Sequence, residues 1–388
     1  MTEPAWTPSA AEIARRHDAI RSAAEAASLD AVIVCGSEYT GFEGAITYVS
    51  GFRILHRYAY VLLPVEGEPI CIYPREARWV GDHDETFVAE KAFAEKPGAW
   101  IAGHLRERGL SRVGVYGMDY VMPVRDYEAL VAGPAELVRF DEEFDLARAV
   151  KSEEEIVSVR HSMDVNKAGV WAVIDAYEPG LTEAELMAVA EQAFVSRGTT
   201  RLTMDMVLLG PDGHAVPQMT LPRSDRRVQD TDLLVYGLEV AGAGGHWVEF
   251  SRPLAPSGMD EETSRMMEAY VESYEIAREI LKDGATAREV HRAVSRPFLE
   301  LGHSLGHVTG HSIGMTMIEH PRVGEDFDVT LRKNMVVSMH PHVISADQQR
   351  SLYFQETWLV GEHEGEALSG VPCRAFDGSE SLAALSVL

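Results

Sequence analysis

Cysteine is scarce in this chain, and so are the segments that direct proteins to membranes or out of the cell. Only Cys35, Cys71 and Cys373 occur in 388 residues, without metal-site spacing or a CxxC motif. This excludes a disulfide framework. The N-terminus lacks a hydrophobic signal core, and no apolar run reaches the roughly 18 residues that span a bilayer. We therefore expect a cytoplasmic protein without a membrane partner.

Basic residues are also few. Lysine and arginine number 35 against 61 aspartates and glutamates, which gives a formal net charge of −26. A surface of this charge would be repelled by phosphate backbones and by anionic lipid. The composition therefore predicts no nucleic-acid partner, and it says nothing about the substrate.

The length and the order of strand and helix patterns predict two domains. A chain of 388 residues exceeds one ordinary hydrophobic core. Apolar β-rich runs such as DAVIVCG and RVGVYGMD alternate with helical stretches in the first part, which indicates an α/β domain over residues 1–148. Over residues 149–388, helices alternate with antiparallel-looking strand pairs, which predicts an α+β domain that holds the functional site.

Most histidines lie in the second half of the chain, and two segments there contain candidate site residues. HVTGHSIG carries His307 and His311 beside glycines, and NMVVSMHPHVI ends a buried strand on His340. Glycine and β-branched residues disfavour a helix in the first segment. An extended histidine flanked by glycine, with backbone packed close by, is typical of a ligand or a catalytic imidazole. A solvated turn histidine is the alternative.

These segments resemble those of the pita-bread enzymes: methionine aminopeptidases, proline-specific aminopeptidases, prolidases and the metal-free creatinases. HVTGHSIG is similar to their HxxGHxxG element, NMVVSMHPHVI to their penultimate strand, and YFQETWLVGEHEGEALS to their last strand. ITYVSGF and RYAYVLLP resemble the creatinase-type N-terminal domain. The resemblance implies a C-terminal pita-bread domain of α+β class after a smaller α/β domain of creatinase type.

The metal ligands of the peptidases in this family are mostly replaced. The first of two aspartates aligns with Leu238 and the second with Glu249, whereas the central histidine is kept as His311. His340 stands for the glutamate of the EP strand and Gln355 for the glutamate of the last strand. The alignment leaves one clear carboxylate against the four positive charges of a metal pair. We therefore expect no dinuclear site; Glu356 would weaken this argument if the last strand slips by one.

The first chemistry that the resemblance implies is metal-free hydrolysis of a C–N bond in a small polar metabolite, as in creatinase. His214, from the HxxP element, would be the general acid and base, because imidazole exchanges protons near neutral pH. Arg322 would bind a substrate carboxylate through its planar fork. Arg57 would reach the site of the other subunit in a homodimer. The predicted catalytic residues are His214, Glu249, His311 and His340, and the predicted substrate contacts are Arg57, Trp247, Ser251, Arg322 and Gln355.

Two alternatives remain. Glu249, His311 and His340 form a two-histidine, one-carboxylate set, which could hold one Fe, Mn or Zn ion in a lyase, a decarboxylase or an oxygenase. The other alternative is an inactive relative that only binds. Polar replacements at 249, 340 and 355 argue against inactivity, since unpaired buried polar groups cost about 1–3 kcal/mol each. No cofactor is therefore the first expectation, and a single metal ion is the second.

Overall fold

The protein was analysed as a computed structural model that describes residues 6–39, 41–199, 206–210 and 214–379. The described residues divide into two compact units. One contains Thr7–Ala149 together with Gly314–His320, and the other contains 150–313 and the chain from Pro321 onward. The packing of Gly314–His320 with the first unit was not predicted from the sequence. The boundary between residues 148 and 149 stays a prediction.

The first unit is built around a six-stranded mixed sheet in the order β4-β3-β2-β1-β5-β6. In chain order its elements are α1 (Ala10–Ala26), β1 (Ala31–Ser37), α2 (Gly44–Ser50), β2 (Tyr58–Pro64), β3 (Ile70–Pro74), a 3₁₀ turn (Arg75–Trp79), β4 (Glu90–Ala94), α3 (Pro97–Arg108), β5 (Arg112–Tyr116), α4 (Val124–Val131), β6 (Glu136–Arg139) and α5 (Asp141–Ala147). Strand β1 pairs parallel with β5 and antiparallel with β2. Ser9 caps α1, since its hydroxyl accepts from the Glu12 amide at 3.1 Å.

The second unit combines paired helices with short strands. Its elements are α6 (Glu153–Ala176), α7 (Glu183–Val195), β7 (Met206–Gly210), β8 (Leu233–Gly237), β9 (Glu239–Ala241), β10 (Trp247–Glu249), α8 (Glu261–Ile280), α9 (Ala287–Glu300), β11 (Ser304–Leu305), β12 (Gly310–Ser312), β13 (Glu319–Val323), β14 (Val336–Met339), β15 (Val343–Ile344), β16 (Ser351–Leu352), β17 (Glu356–Leu359) and β18 (Glu366–Ala367).

The strands of the second unit form four small sheets, and three of them carry the site. Their orders are β13-β12-β14-β17-β18, β10-β9 and β11-β15-β16, and the fourth sheet pairs β7 with β8. Helix α6 begins at a capping box, in which Ser152 and Glu155 bond each other's backbone amides at 3.1 and 3.0 Å. None of the helices in the described part of the chain has both the length and the apolar composition that a membrane crossing requires.

Candidate active site

Glu249 ends strand β10 and is fixed by hydrogen bonds from three neighbouring elements. Its carboxylate accepts from the Ser338 hydroxyl at 2.6 Å, and its backbone bonds the Thr357 hydroxyl at 2.9 Å on both N–H and C=O. Asn166 of α6 donates its amide to the Leu238 carbonyl at 2.8 Å and so supports the adjoining strand. The side chain of Glu249 is 1% exposed, so this network holds a charge away from solvent.

His311 lies in the extended strand β12, so the expectation of an extended rather than helical segment is confirmed. The strand pairs with β14 in a register that sets His311 against Ser338. A Cβ atom on Gly310 would lie 2.2 Å from the Ser338 carbonyl oxygen. Only glycine therefore permits this approach of the two backbones, which explains the glycine beside the histidine.

His340 directly follows β14, and its side chain lies near those of Glu249 and His311. Its backbone N–H donates to the Thr309 carbonyl at 2.9 Å, which ties it to the strand of His311. The Tyr270 hydroxyl donates to the carbonyl of Pro341 at 2.6 Å and holds the turn that follows. The strand of this segment thus ends at a buried site rather than in a solvated polar turn.

The three side chains converge on one point. Nε2 of His311 lies 3.3 Å from Oε1 of Glu249, and Nε2 of His340 lies 3.7 Å from Oε2. One ligand atom from each residue falls within 4.8 Å of the other two, and all three residues are buried. Two imidazole nitrogens and a carboxylate at this separation form a set that could hold one metal ion.

A further carboxylate, Glu239, belongs to the site and was missed in the sequence. It lies opposite Glu249 in the β9–β10 pairing, so both side chains project from the same face. The Gln355 amide Nε2 donates to Oε1 of Glu239 at 2.9 Å and to Oε2 of Glu249 at 3.0 Å. The expectation of one clear carboxylate is therefore wrong, because strand pairing breaks at Leu238 and shifts the alternation of side chains by one residue.

Glu356, the residue that could have weakened the charge argument, lies apart from this group. Its carboxylate is 2.6 Å from the Arg252 guanidinium, and it also accepts from Ser369 at 2.6 and 3.1 Å. Successive residues of a strand project to opposite faces, so Gln355 and Glu356 face different surroundings. The predicted alignment of Gln355 with the last-strand position therefore needs no slip.

The protonation of the site follows from its geometry. Burial raises the pKa of the Glu249 carboxyl. His311 and His340 beside it lower this pKa by more than burial raises it, so the net pKa is about 2. Burial lowers the pKa of the His311 imidazole, yet Glu249 outweighs burial and the net pKa is raised. Burial lowers the pKa of His340 to about 3, despite the attraction of Glu249. Glu249 is thus a carboxylate and His340 a neutral imidazole at neutral pH.

Nδ1 of His311, the ring nitrogen that faces away from Glu249, has a hydrogen-bond partner. Nδ1 lies 3.0 Å from the Ser312 carbonyl oxygen, which accepts a hydrogen bond from the N–H of that nitrogen. The Nε2 lone pair of a neutral His311 would then face Glu249 and any cation beside it. This is the tautomer in which imidazole binds metals.

His214 contacts a different set of residues. Its Nδ1 lies 3.0 Å from Oδ2 of Asp260, which also binds Arg350 at 2.8 Å and caps α8. Within the described part of the chain, the side-chain contacts of His214 do not include Glu249, His311 or His340. Its role as proton carrier stays a prediction.

Arg322 is exposed and lies in β13, the strand beside β12 in the sheet. Among the described residues, no ion pair or hydrogen bond engages its guanidinium. Glu325, a possible surface partner, instead binds Arg292, with one contact at 3.0 Å. The positive charge of Arg322 acts to lower the pKa of His311, so the two groups are electrostatically coupled.

The other predicted substrate contacts differ in burial and in hydrogen-bond partners. Trp247 and Ser251 are fully buried, and the Ser251 hydroxyl accepts from the Gln355 backbone at 3.2 Å. Gln355 is itself fully buried, with its amide nitrogen committed to the two carboxylates. Arg57 lies in the first unit with a φ of 64° and pairs with Glu76 at 2.8 Å. These placements favour a structural role for Trp247, Ser251 and Gln355.

A cluster of rings next to His340 was also missed in the sequence. The His307 ring centroid lies 5.2 Å from that of His340 and 5.7 Å from that of His342, and Tyr353 lies 6.0 Å from His340. Pairing of β11 with β15 and of β15 with β16 brings these residues together. The signal that could have indicated this cluster was the second histidine of the HPH segment, His342.

Models of two known families match the chain. The metallopeptidase family M24 matches residues 158–362, which is more than half of the chain. The creatinase/prolidase N-terminal domain matches residues 16–150. The two matches confirm the predicted order of a creatinase-type domain before a pita-bread domain.

Individual relatives agree with this assignment. A Xaa-Pro dipeptidase of Pyrococcus horikoshii is 23% identical over 81% of this chain and 86% of its own length. The crystal structure of the prolidase from Pyrococcus horikoshii OT3 has a TM-score of 0.76 with 21% identity, over 92% of this chain and 98% of that one. An X-Pro aminopeptidase from Thermotoga maritima has a TM-score of 0.79 with 18% identity, over 93% and 99%. At these identities the structures establish the shared fold.

The family match also corrects the expectation that the protein has no cofactor. The matching family is one of metallopeptidases, and the described residues include a buried set of ligand atoms that suits a metal ion. The expectation rested on counting a single carboxylate, which argued against a metal pair but left a single ion as the alternative. The chain belongs to metallopeptidase family M24 and is a hydrolase of the creatinase and Xaa-Pro peptidase-like superfamily with the pita-bread fold.

Proposed function

We propose that the protein is a hydrolase that holds one divalent metal ion at Glu249, His311 and His340 and cleaves the C–N bond of a small amide bearing a carboxylate. The observation that carries the proposal is the convergence of both imidazole Nε2 atoms on the two oxygens of Glu249, at 3.3 and 3.7 Å. The donor set of two histidines and one carboxylate fits a first-row transition metal.

The contacts of Gln355 favour one ion over two. An amide nitrogen carries two N–H donors and no lone pair for a metal. Its nitrogen lies between Glu239 and Glu249 at 2.9 and 3.0 Å, where it occupies the side of both carboxylates that a second cation would need. Two carboxylates also balance the charge of one divalent ion but not that of two.

A bound divalent ion in such a site would polarise a substrate carbonyl and lower the pKa of a bound water. The residues of the chain supply orientation. Ser312 sets the tautomer of His311, and Ser338 holds one oxygen of Glu249. His214, oriented by Asp260 at 3.0 Å, remains our proposal for the group that carries a proton to the leaving nitrogen.

Arg322 supports a substrate with a carboxylate. Its guanidinium is exposed, has no partner among the described residues, and is close enough to affect the pKa of His311. A guanidinium fork matches a carboxylate with two parallel hydrogen bonds. Relatives are named Xaa-Pro dipeptidases, and such a dipeptide places a carboxylate next to its scissile amide. Xaa-Pro dipeptides are therefore the first substrates to test, followed by N-acyl amino acids.

The experiment reconstitutes the metal-free protein with Mn, Fe, Co or Zn and follows the release of amine from these substrates. We expect turnover that needs one of the metals and that falls in Arg322→Gln through a KM raised about 10- to 100-fold, because an ionic hydrogen bond contributes about 1.5–3 kcal/mol. Arg332→Gln, on the surface of the same unit, is the matched control. No hydrolysis with any metal would contradict the proposal, and formation of an alkene or CO₂ would identify a lyase or a decarboxylase instead.

The family resemblance supports one further proposal, a homodimer in which Arg57 of each protomer contributes to the site of the other. We also propose a cytoplasmic location. Sedimentation equilibrium tests the dimer. Mixing an Arg57→Ala protein with an Arg322→Gln protein tests the shared site, since hybrid dimers would regain one intact site.

A further inference from the structure

The two histidines of the proposed metal site differ at the nitrogen that faces away from Glu249. Nδ1 of His311 is bonded to the Ser312 carbonyl at 3.0 Å. Nδ1 of His340 is buried and has no hydrogen-bond partner among the described residues. Histidines that bind a metal through one nitrogen almost always donate the other N–H to a carboxylate, a carbonyl or water. His340 therefore presents a buried donor that lacks its acceptor.

A second buried nitrogen without a partner lies in the same cluster. Nε2 of His342 is buried and unpaired within the described part of the chain. The His307 ring lies between the two, with centroids 5.2 Å from His340 and 5.7 Å from His342, and Tyr353 lies 6.0 and 5.9 Å from the same two rings. We call His307, His340, His342 and Tyr353 the histidine pocket.

The backbone builds this pocket in a defined way. In the β11-β15-β16 sheet, Leu305 pairs with Val343, and Val343 pairs with Leu352. His342 and Tyr353 therefore adjoin paired residues of neighbouring strands, and the Gly306 amide donates to the His342 carbonyl at 2.9 Å. A Cβ on Gly306 would lie 2.7 Å from Nδ1 of His342, so the His342 ring is packed against glycine backbone.

We propose that the histidine pocket binds a second carboxylate of the substrate, on the side of His340 remote from Glu249. The proposal rests on the proposed function, because metal binding through Nε2 requires the His340 proton to be on Nδ1. Buried unpaired donors are costly, and an acceptor oxygen on the substrate would satisfy them. The rings offer several N–H groups, whereas the Glu249 carboxylate lies beside the other nitrogen of His340, Nε2, at 3.7 Å.

This arrangement narrows the substrate class of the proposed hydrolase. The two nitrogens of an imidazole lie on opposite sides of the ring, so the oxygen bound by Nδ1 is beyond the reach of the ion held by Nε2. The substrate must therefore extend past His340. An amide with a second carboxylate a few bonds from the scissile group, such as an acidic dipeptide or an N-acyl amino dicarboxylic acid, meets this requirement.

The test compares two probes, succinate and propionate, which differ by one carboxylate. Binding to the metal-loaded protein is measured by titration calorimetry. We expect succinate to bind at least about 10-fold more tightly than propionate, since hydrogen bonds to a charged group have this effect or a larger one. In His342→Phe, with the metal content unchanged, the advantage should fall below about threefold. His363→Phe, at an exposed position of the same unit, is the control and should keep the full advantage.

The outcomes separate this proposal from the proposed function. A protein that binds no metal contradicts both. A protein that binds metal but shows no preference for succinate, or keeps the preference in His342→Phe, overturns the pocket alone. If His342→Phe does not fold, His307→Gln, at an exposed position, replaces it with the same expectations. Nitrogen-15 spectra of the zinc-loaded protein give an independent measurement: the His340 proton should be on Nδ1, and a proton on Nε2 would contradict the proposal.

Discussion

Gln355 directly precedes β17 and Glu356 is its first residue, yet the two side chains contact different buried charges. Glu356 meets Arg252 one to one, at 2.6 Å, with both side chains almost fully buried. Gln355 meets two carboxylates, Glu239 and Glu249, with only neutral amide hydrogens to offer. A balanced buried pair is part of the structure, whereas the two carboxylates that Gln355 bonds adjoin a set of ligand atoms that could hold a metal ion.

Breaking the balanced pair should have the largest effect on stability. Arg252→Ala leaves Glu356 charged and buried without its partner and also removes the hydrogen bonds of the guanidinium to the Pro372 and Val371 carbonyls. We expect the free energy of unfolding to fall by about 3–5 kcal/mol. Urea denaturation measures the change. A loss below about 1 kcal/mol would show that the pair is not a structural element.

A further negative charge beside Glu239 and Glu249, the carboxylates that Gln355 bonds, should lower the stability of the metal-free protein, and added metal should restore it. Gln355→Glu places a third carboxylate beside Glu239 and Glu249, so we expect the metal-free protein to lose about 1–3 kcal/mol in stability as the bridging hydrogen bonds disappear. Excess Mn or Co should restore the loss, and binding of a second ion should become detectable. Gln192→Glu, exposed on α7, adds the same charge without either effect. Equal stability of the two variants without metal would contradict the charge argument.

A third charged group, Asp260 with Arg350 and His214, is partly exposed and should matter least. Burial raises the pKa of Asp260, but the Thr263 amide and the Arg350 guanidinium lower it overall to about 2, from 3.8. Because the folded-state pKa is depressed, the carboxylate stabilises the protein above pH 3.8, and this contribution is lost as the pH falls towards 2.

Asp260→Asn should therefore flatten the stability profile in that pH range, while an exposed pair of this kind changes the stability at neutral pH by at most about 1 kcal/mol. Asparagine keeps the helix cap, so loss of the cap does not complicate the measurement. Thermal unfolding of both proteins between pH 2 and pH 7 gives the comparison. An unchanged acid profile in the variant would show that Asp260 is not the group that titrates.

Sequence patterns predicted the fold and the order of its domains because these depend on long periodic segments and on motifs spread over the chain. They also identified Glu249, His311 and His340, whose neighbours in sequence carry recognisable motifs. Glu239 was missed because counting along a strand fails where pairing breaks, at Leu238.

The histidine pocket could not be predicted for a different reason. His307, His342 and Tyr353 meet through the pairing of three strands of two residues each. Strands of this length carry no periodic signal in the sequence. The amide of Gln355 was likewise assigned to the substrate, because nothing in the sequence places it between two carboxylates.

The central claim is that one metal ion is held by Glu249, His311 and His340, and elemental analysis of the purified, metal-reconstituted protein tests it most directly. We predict about one transition metal ion per chain, lost in His340→Ala and kept in His363→Ala at an exposed position. Two ions per chain, or one ion that persists in His340→Ala, would contradict the account. The same holds for a protein that takes up no metal at all.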